Sequence, residues 1–585
     1  MHKRQLYAAL LAAALLSTAL PSALAVDAAP AQGSAASAAS VAEGRQSDLD
    51  LLLSTLQSAH PNLYSVHTQA EFDAKCAEIQ AGLATMSDFD FAIALSELTA
   101  LIGDSHTGAN FGNFIDQLHF LPMYLTPMAD GLVITGLPSG NEKFLGGVLT
   151  AVNGVSLDQL EDRISPMLGA DNPTRQRYDF YNIFYVYEIL QHYGITDQPE
   201  GIRLTVQTTA DGTQELTLDA LDSNQMQSLD YISLEQESTP VTAARSQLYF
   251  MEPLDEHTLY IQYNSCQEDP NLPMEDFTEQ VRQSIEQNGY DRVMLDLRNN
   301  GGGSDGVLLP LLYLLDEKHE QDGVALYTLI GDRTFSSALI NAVELKQIGA
   351  TLVGTPTGGS VDHFGEVSSV TLPYSGITVQ YSTNYFDLST LLDAAVPYDT
   401  EALPPDIHVQ QSLTDYLAGR DTAVQAILAR AGDANQPKTE LTRGALAAAL
   451  GRAYAAEMGE GISVAQPLFA DVSIFDYAAP YIAWAQANGL MCGDSADTFA
   501  PDRAVTREEL AAVLTRYAAF RGKSLAGTPA TPADAAAISP WALDAVCALS
   551  GAGVLELQDG DFAPKSQVLR AEWPAILTAF HAALV

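Results

Sequence analysis

The chain has 585 residues, too many for one hydrophobic core, so roughly two to four domains are expected. Lysine and arginine number 28 against 73 acidic residues, a formal net charge of −45, and a surface this acidic repels nucleic acid and anionic lipid. The four cysteines, Cys76, Cys266, Cys492 and Cys547, contain no C-x-x-C pair, which excludes a disulfide scaffold and a thiolate zinc site; Cys492 and Cys547 could pair, but a buried free thiol is the expectation for each.

Residues 1–25 read as an export signal. Lys3 and Arg4 precede an apolar run from Leu6 to Leu20, and Ala23-Leu24-Ala25 supplies the cleavage site, so the mature chain is expected to start at Val26. Residues 26–44, rich in alanine and serine without an aromatic residue, read as a flexible leader. No later segment reaches about eighteen uncharged apolar residues in a row, so no membrane span is expected after signal removal.

Residues 45–115 read as a helical region. Leu49, Leu51, Leu52, Leu53 and Leu56 lead to His60-Pro61-Asn62-Leu63-Tyr64, and Phe91 to Ile102 is again apolar at helical spacing. Residues 116–235 alternate like strands around the aromatic stretch Tyr178 to Tyr193. From 236 to 430 strands and helices alternate, which predicts an α/β core with buried parallel strands such as Val293-Met294-Leu295. A polar segment, 431–437, reads as a linker. Residues 438–585 carry an internal repeat: Thr442-Arg443, Thr506-Arg507 and Leu569-Arg570 recur at offsets of 64 and 63, and Phe499-Ala500-Pro501 recurs as Phe562-Ala563-Pro564. Tyr477-Ala478 and Trp541-Ala542 open the matching helices.

Two motifs carry chemistry. The strand at Val293 ends in Asp296-Leu297-Arg298-Asn299-Asn300-Gly301-Gly302-Gly303, a glycine turn that exposes backbone N–H groups. Further on, Thr334-Phe335-Ser336-Ser337-Ala338 puts a serine at the start of a helix expected over Ser337 to Gln347. A hydroxyl facing fixed N–H donors suits acyl transfer. A glycine turn before a serine-capped helix is also ordinary α/β architecture.

With Leu352-Val353-Gly354-Thr355-Pro356-Thr357-Gly358-Gly359 and Pro404-Pro405-Asp406-Ile407-His408-Val409, residues 45–430 resemble the C-terminal processing (tail-specific) serine peptidases, including the tricorn-like and retinoid-binding-protein-like branches. The resemblance implies an α/β, crotonase/ClpP-like peptidase core without metal or organic cofactor, acting on peptide or protein substrate. It also makes Val148-Leu149-Thr150-Ala151-Val152-Asn153-Gly154-Val155 part of a PDZ-like insert, although a generic hairpin reads the same way. The lysine that much of the family uses is replaced by Ser360, and neither Lys318 nor Lys346 is a credible base; Lys346 lies about 15 Å from Ser336 by helical rise. The tricorn-like branch uses a histidine, and Leu101-Ile102-Gly103-Asp104-Ser105-His106-Thr107 matches that element. By resemblance Ser336 is the nucleophile, His106 the base next to Ser105, and Glu401 the orienting acid, with Asp399 its rival. His363 is a competing base, and a packed loop histidine is its alternative. The oxyanion donors would be the N–H groups of Gly302 and Ser337.

The repeat region resembles the S-layer homology module, with a full motif from Phe469-Ala470-Asp471-Val472 through Tyr481-Ile482, Gly489-Leu490 and Phe499-Ala500-Pro501-Asp502 to Val505-Thr506-Arg507-Glu508-Glu509. That implies a helical lobe binding secondary cell-wall polymer through Arg443, Arg507 and Arg570, or, alternatively, arginines that only serve salt bridges at helix N-termini. The expected protein is a secreted, wall-anchored serine endopeptidase. The alternative is a binding protein that keeps the fold without catalysis.

Overall fold

The structure is a computed structural model that describes residues 38–243, 246–391, 401–430, 438–459, 461–462 and 469–585. The expected signal segment, residues 26–37 of the leader, Asp399 and the linker 431–437 lie outside them.

Helices α1 (Ala38–Ala59), α2 (Gln69–Gly82) and α3 (Asp88–Ala100) open the fold. α1 starts inside the expected flexible leader. Alanine, the best helix former, carries it there, and buried Arg45 holds it by donating to Leu83 O at 2.8 Å and Met86 O at 2.9 Å. Capping boxes start the other two helices, Thr68 with Glu71 and Ser87 with Asp90. After β1 (Gly108–Ala109) come β2 (Tyr124–Met128), β3 (Gly131–Pro138), β4 (Val148–Val152), β5 (Val155–Ser156), helices α4 (Leu157–Ile164), α5 (Pro173–Ile183) and α6 (Tyr187–His192), β6 (Ile202–Thr208), β7 (Gly212–Leu218), α7 (Ser223–Ser228) and β8 (Tyr231–Ser233). β2 to β8 form an antiparallel seven-stranded sheet, ordered β2-β3-β4-β6-β7 with β5 on β4 and β8 on β3. One apolar cluster runs from Leu49 and Phe91 through Ile134 and Leu204 to Val379 and Tyr381, so helices and sheet share a core.

The α/β core holds β9 (Tyr249–Pro253), β10 (Thr258–Tyr263), α8 (Met274–Asn288), β11 (Arg292–Asp296), α9 (Leu309–Asp322), β12 (Ala325–Ile330), α10 (Ser337–Gln347), β13 (Thr351–Gly354), β14 (Asp362–Thr371), β15 (Thr378–Asp387), β16 (Ile407–His408), α11 (Leu413–Leu417) and α12 (Thr422–Leu428). Its sheet runs β16-β13-β12-β11-β10-β9, parallel except for β9. Both faces are buried: Val293 and Leu295 pack against α8 and α9, while Met294, Tyr327 and Val353 pack against Val424 and Ile427 of α12. The glycine turn after β11 and the start of α10 after β12 therefore meet at the carboxyl ends of neighbouring parallel strands, where open α/β sheets place ligands. β1 pairs with β15 in a separate β1-β15-β14 sheet, and this carries the loop before β1 to the same edge.

The C-terminal lobe has α13 (Arg443–Met458), α14 (Ala479–Ala487), α15 (Arg507–Phe520), α16 (Leu543–Gly551) and α17 (Trp573–Ala583). Its centre is a closed ring of backbone bonds, Leu441 N–H to Val568 O, Val568 N–H to Val505 O and Val505 N–H to Leu441 O, at 2.8, 2.9 and 2.9 Å. The repeat's periodicity thus becomes pseudo-threefold symmetry. The first repeat keeps only its closing helix, and α9 of the core fills the gap: Tyr477 N–H donates to Asp316 at 2.7 Å, Arg452 reaches Glu317 at 2.6 Å, and Phe475 packs into the core's apolar cluster. All four cysteines are free, and Cys492 is exposed and Cys547 half-buried rather than buried.

Candidate active site

The aspartate-arginine-asparagine pattern builds the turn. Asp296 accepts Arg298 Nη2 at 2.7 Å and Tyr260 Oη at 2.7 Å, and Arg298 also reaches Asp421 at 2.8 Å. Asn300 donates to Tyr263 O at 3.0 Å and accepts the Gly302 N–H at 2.9 Å. Three further bonds tie turn to helix: Phe335 N–H to Asn300 O at 3.2 Å, Thr334 Oγ1 to Leu297 O at 3.0 Å, and Ser337 Oγ to Gly303 O at 2.8 Å. Gly302 has φ +108°, and a Cβ there would lie 2.7 Å from Ser336 Cβ. Only glycine permits that approach.

Ser336 stands at the head of α10 with φ 54° and ψ −131°, a backbone conformation that costs a non-glycine residue about 1–3 kcal/mol. It is half-buried. The first N–H of the helix, Ser337's, has no intrahelical acceptor and points out of the helix N-terminus, along the positive end of its dipole. Gly302 differs from expectation, since its N–H is committed to Asn300.

His106 is brought alongside by stacking. The ring of Phe335, the residue before Ser336, lies on the His106 ring with centroids 4.3 Å apart and planes 24° apart. Beyond it come His363 at 5.8 Å and then Phe386 at 5.3 Å, while the Arg175 guanidinium caps Phe335 at 4.3 Å. Both His106 ring nitrogens are buried without a hydrogen-bond partner. Burial pushes its pKa down to about 3, Asp104 opposes this, and the positive charges available to His363 and Arg175 reinforce it. His106 is therefore neutral at physiological pH.

The acid beside His106 is Asp104. Its Oδ1 accepts the His106 N–H at 2.8 Å and lies 3.8 Å from His106 Nδ1. Its Oδ2 accepts Thr107 Oγ1 at 2.5 Å and Ser382 Oγ at 2.7 Å and faces His60 Nε2 at 3.1 Å. Burial pushes this carboxyl up, but the hydrogen bond from His60, the attraction of the charge His106 carries once protonated and the hydrogen bond from Thr107 more than offset it and leave it below the usual carboxylate range. Glu401, expected in this place, is exposed, and what it offers the site is its backbone carbonyl, which accepts the Val361 N–H at 3.0 Å. The sequence does carry the signal for Asp104: an aspartate two residues before the histidine accepts that residue's N–H in an Asx turn.

Ser105 Oγ donates to Asp171 at 2.6 Å, whose carboxyl is raised by burial to about 6. Ser360, where many of the peptidases that the sequence resembles carry a lysine, accepts Asn172 Nδ2 at 3.0 Å. His363 packs in the column of rings, with Nδ1 donating to Ser360 O at 2.9 Å. Lys346 is paired with Asp406 at 2.6 Å and Lys318 with Glu286 at 2.7 Å.

In the lobe, the three repeat arginines join units. Arg443 donates to Phe499 O at 2.9 Å and Cys492 O at 2.5 Å over the Phe499 ring; Arg507 donates to Phe562 O at 2.9 Å and Glu556 O at 2.7 Å over the Phe562 ring. Arg570 pairs with Asp322 of α9 at 2.9 Å. Asp471 accepts the N–H groups of Phe499 and Ala500, and Asp534 repeats this with Phe562 and Ala563, all at 2.7–2.8 Å. Residues 468–511 and 533–572 match the S-layer homology domain family. The C-terminal lobe carries S-layer homology repeats. The arginines expected to face wall polymer thus hold S-layer homology units to each other and to the core, because three-fold closure brings Arg443 and Arg507 against the carbonyls of the next unit and Arg570 against α9.

The solved structures most similar to the chain include mature CPAF complexed with lactacystin, with TM-score 0.47, 14% identity, and coverage of 65% of this chain and 96% of that one. The photosystem II D1 C-terminal processing protease gives TM-score 0.29 and 14% identity over 65% of this chain and 98% of its own. No curated protein matches the sequence. Among the described residues, no helix is long and apolar enough to cross a membrane.

Proposed function

We propose that the chain is a secreted serine endopeptidase held at the cell wall by its S-layer homology lobe. The observation that carries this reading is the strained Ser336 at the head of α10, with Gly302 at its back and His106 stacked on its neighbour Phe335. Ser336 Oγ attacks the peptide carbonyl carbon and passes its proton to His106 Nε2. A shift of about 1 Å brings Nδ1–H into hydrogen-bond range of Asp104 Oδ1 and steadies the imidazolium. The Ser337 N–H faces the developing oxyanion. The imidazolium returns the proton to the leaving amine, and water, activated by the same histidine, hydrolyses the acyl-enzyme.

Wall attachment falls to the joint between the second and third S-layer homology repeats. The first joint is closed by α9, whereas the second leaves Trp541 57% exposed, two residues from Ser539, which accepts Lys565 Nζ at 2.8 Å; Lys565 is itself paired with Glu508. An exposed aromatic face suits a glycan.

Two observations favour the binding-protein alternative: the His106 nitrogens have no hydrogen-bond partner, and the seven-stranded sheet holds a cavity of about 380 Å³ lined by Phe120, Leu121, Tyr124, Tyr181 and Tyr185. Hydrolysis of an unfolded casein by the full chain separates the two. The peptidase cuts it and Ser336→Ala does not; a protein that binds casein without cutting it is the alternative.

A further inference from the structure

Behind the His106 loop lies His60, of the segment His60-Pro61-Asn62-Leu63-Tyr64. The side chains of His60 and Asp104 are both fully enclosed. Asn62 N–H donates to His60 Nδ1 at 3.2 Å, which makes Nδ1 an acceptor and leaves the proton on Nε2. Nε2 then donates to Asp104 Oδ2 at 3.1 Å. The His60 ring also leans on Phe364 at 4.8 Å, and Phe364 follows His363, the ring stacked on His106. His60 therefore grips both the carboxylate and the strand start that flank the base.

Three donors gather on Asp104 Oδ2, from His60, Thr107 and Ser382, while Oδ1 is turned to His106, accepting its N–H and lying 3.8 Å from Nδ1. We propose that His60 is a positioning residue for acyl transfer, holding Oδ2 so that Oδ1 faces His106 Nδ1 when the imidazolium forms. The inference rests on reading Ser336 as nucleophile and His106 as base. Without the His60 donor, the buried carboxylate loses part of what keeps it ionised and turned toward the base.

The test is the rate at which a fluorophosphonate inactivates full-length wild type, His60→Gln and His60→Phe, with kcat and KM on unfolded casein alongside. Glutamine keeps a donor for Oδ2 but loses the ring; phenylalanine keeps the ring against Phe364 but loses the donor. We expect His60→Phe to fall about tenfold or more in inactivation rate and kcat with KM little changed, and His60→Gln to recover to within about threefold of wild type. In the Asp104→Asn background, His60→Phe should cost little more, because both act through one carboxylate. A packing role predicts the reverse order, so His60→Phe equal to wild type, or His60→Gln the worse of the two, overturns the inference while leaving the peptidase reading intact. A wild type that neither reacts nor cuts casein removes that reading and the inference with it.

Discussion

Asp104 turns one oxygen to His106 in two ways: its Oδ1 accepts the His106 backbone N–H at 2.8 Å and waits 3.8 Å from the Nδ1 of the same residue. One carboxylate oxygen thus fixes the loop and stands ready for the charge that His106 acquires. The ring itself is held by the flat column of Phe335, His363 and Phe386.

Replacing Ser336 or His106 by alanine should each lower kcat on unfolded casein by about a thousandfold, and the double change should cost little more, since the pair acts as a unit. Asp104→Asn should cost about a hundredfold or more, because the carboxylate stabilises the imidazolium. Glu401→Gln should stay within about twofold, as an exposed side chain predicts. A large loss in Glu401→Gln alone would return the orienting role to that residue.

Because His106 is held to about 3 by burial, and catalysis needs it neutral, activity should persist well below the usual histidine range. The fluorophosphonate reaction rate measured from pH 4 to 8 checks this. We expect the rate at pH 5.5 to remain near its plateau; half-maximal rate at about 6.5, the unperturbed histidine value, contradicts the buried, neutral base.

Gly302→Ala places a Cβ 2.7 Å from Ser336 Cβ at a backbone φ of +108°. The nucleophile must move or the turn must open. We expect casein cleavage to fall at least about a hundredfold, with a smaller loss in Gly301→Ala, whose Cβ meets nothing within 4 Å.

The junction of core and lobe should respond to pH through Asp316. Burial raises this carboxyl to about 8, against the hydrogen bond from Tyr477 N–H and with help from Asp476 and Glu320. Its folded value lies above its unfolded one, so its stabilising contribution is full below about pH 4 and declines as pH climbs to about 8. Asp316→Asn can still accept the Tyr477 N–H and carries no charge. Thermal denaturation should show it more stable than wild type at pH 8.5 and much closer to wild type at pH 5; an equal difference at both values contradicts the assignment.

Arg570→Ala removes the pair with Asp322 and should loosen the third S-layer homology unit from α9, seen as faster limited proteolysis between core and lobe. Arg443→Ala, buried and bonded to two carbonyls, should destabilise the lobe by about 1–3 kcal/mol, read by denaturant unfolding.

The local elements were legible because their signals are local. The glycine turn and the helix from Ser337 to Gln347 stand in one short stretch, and the helix has those bounds in the structure. The Asp104 turn was equally local, but Glu401 was taken from a resemblance, and its loop reaches Val361 through backbone alone. The repeat arginines show a second limit: their position after an N-cap is visible in the sequence, whereas the carbonyls that Arg443 and Arg507 meet lie about a repeat away and become partners only when the lobe closes on itself. That α9 completes this lobe was illegible for the same reason, and it means that deleting residues 438–585 also uncovers Tyr313 and Asp316 on the core.

The most direct measurement is intact-protein and peptide mass spectrometry of the full chain after treatment with a fluorophosphonate. One adduct is expected, on the peptide containing Ser336, absent from Ser336→Ala and much slower to form in His106→Ala. No adduct, an adduct on another residue, or equal labelling of Ser336→Ala would contradict it.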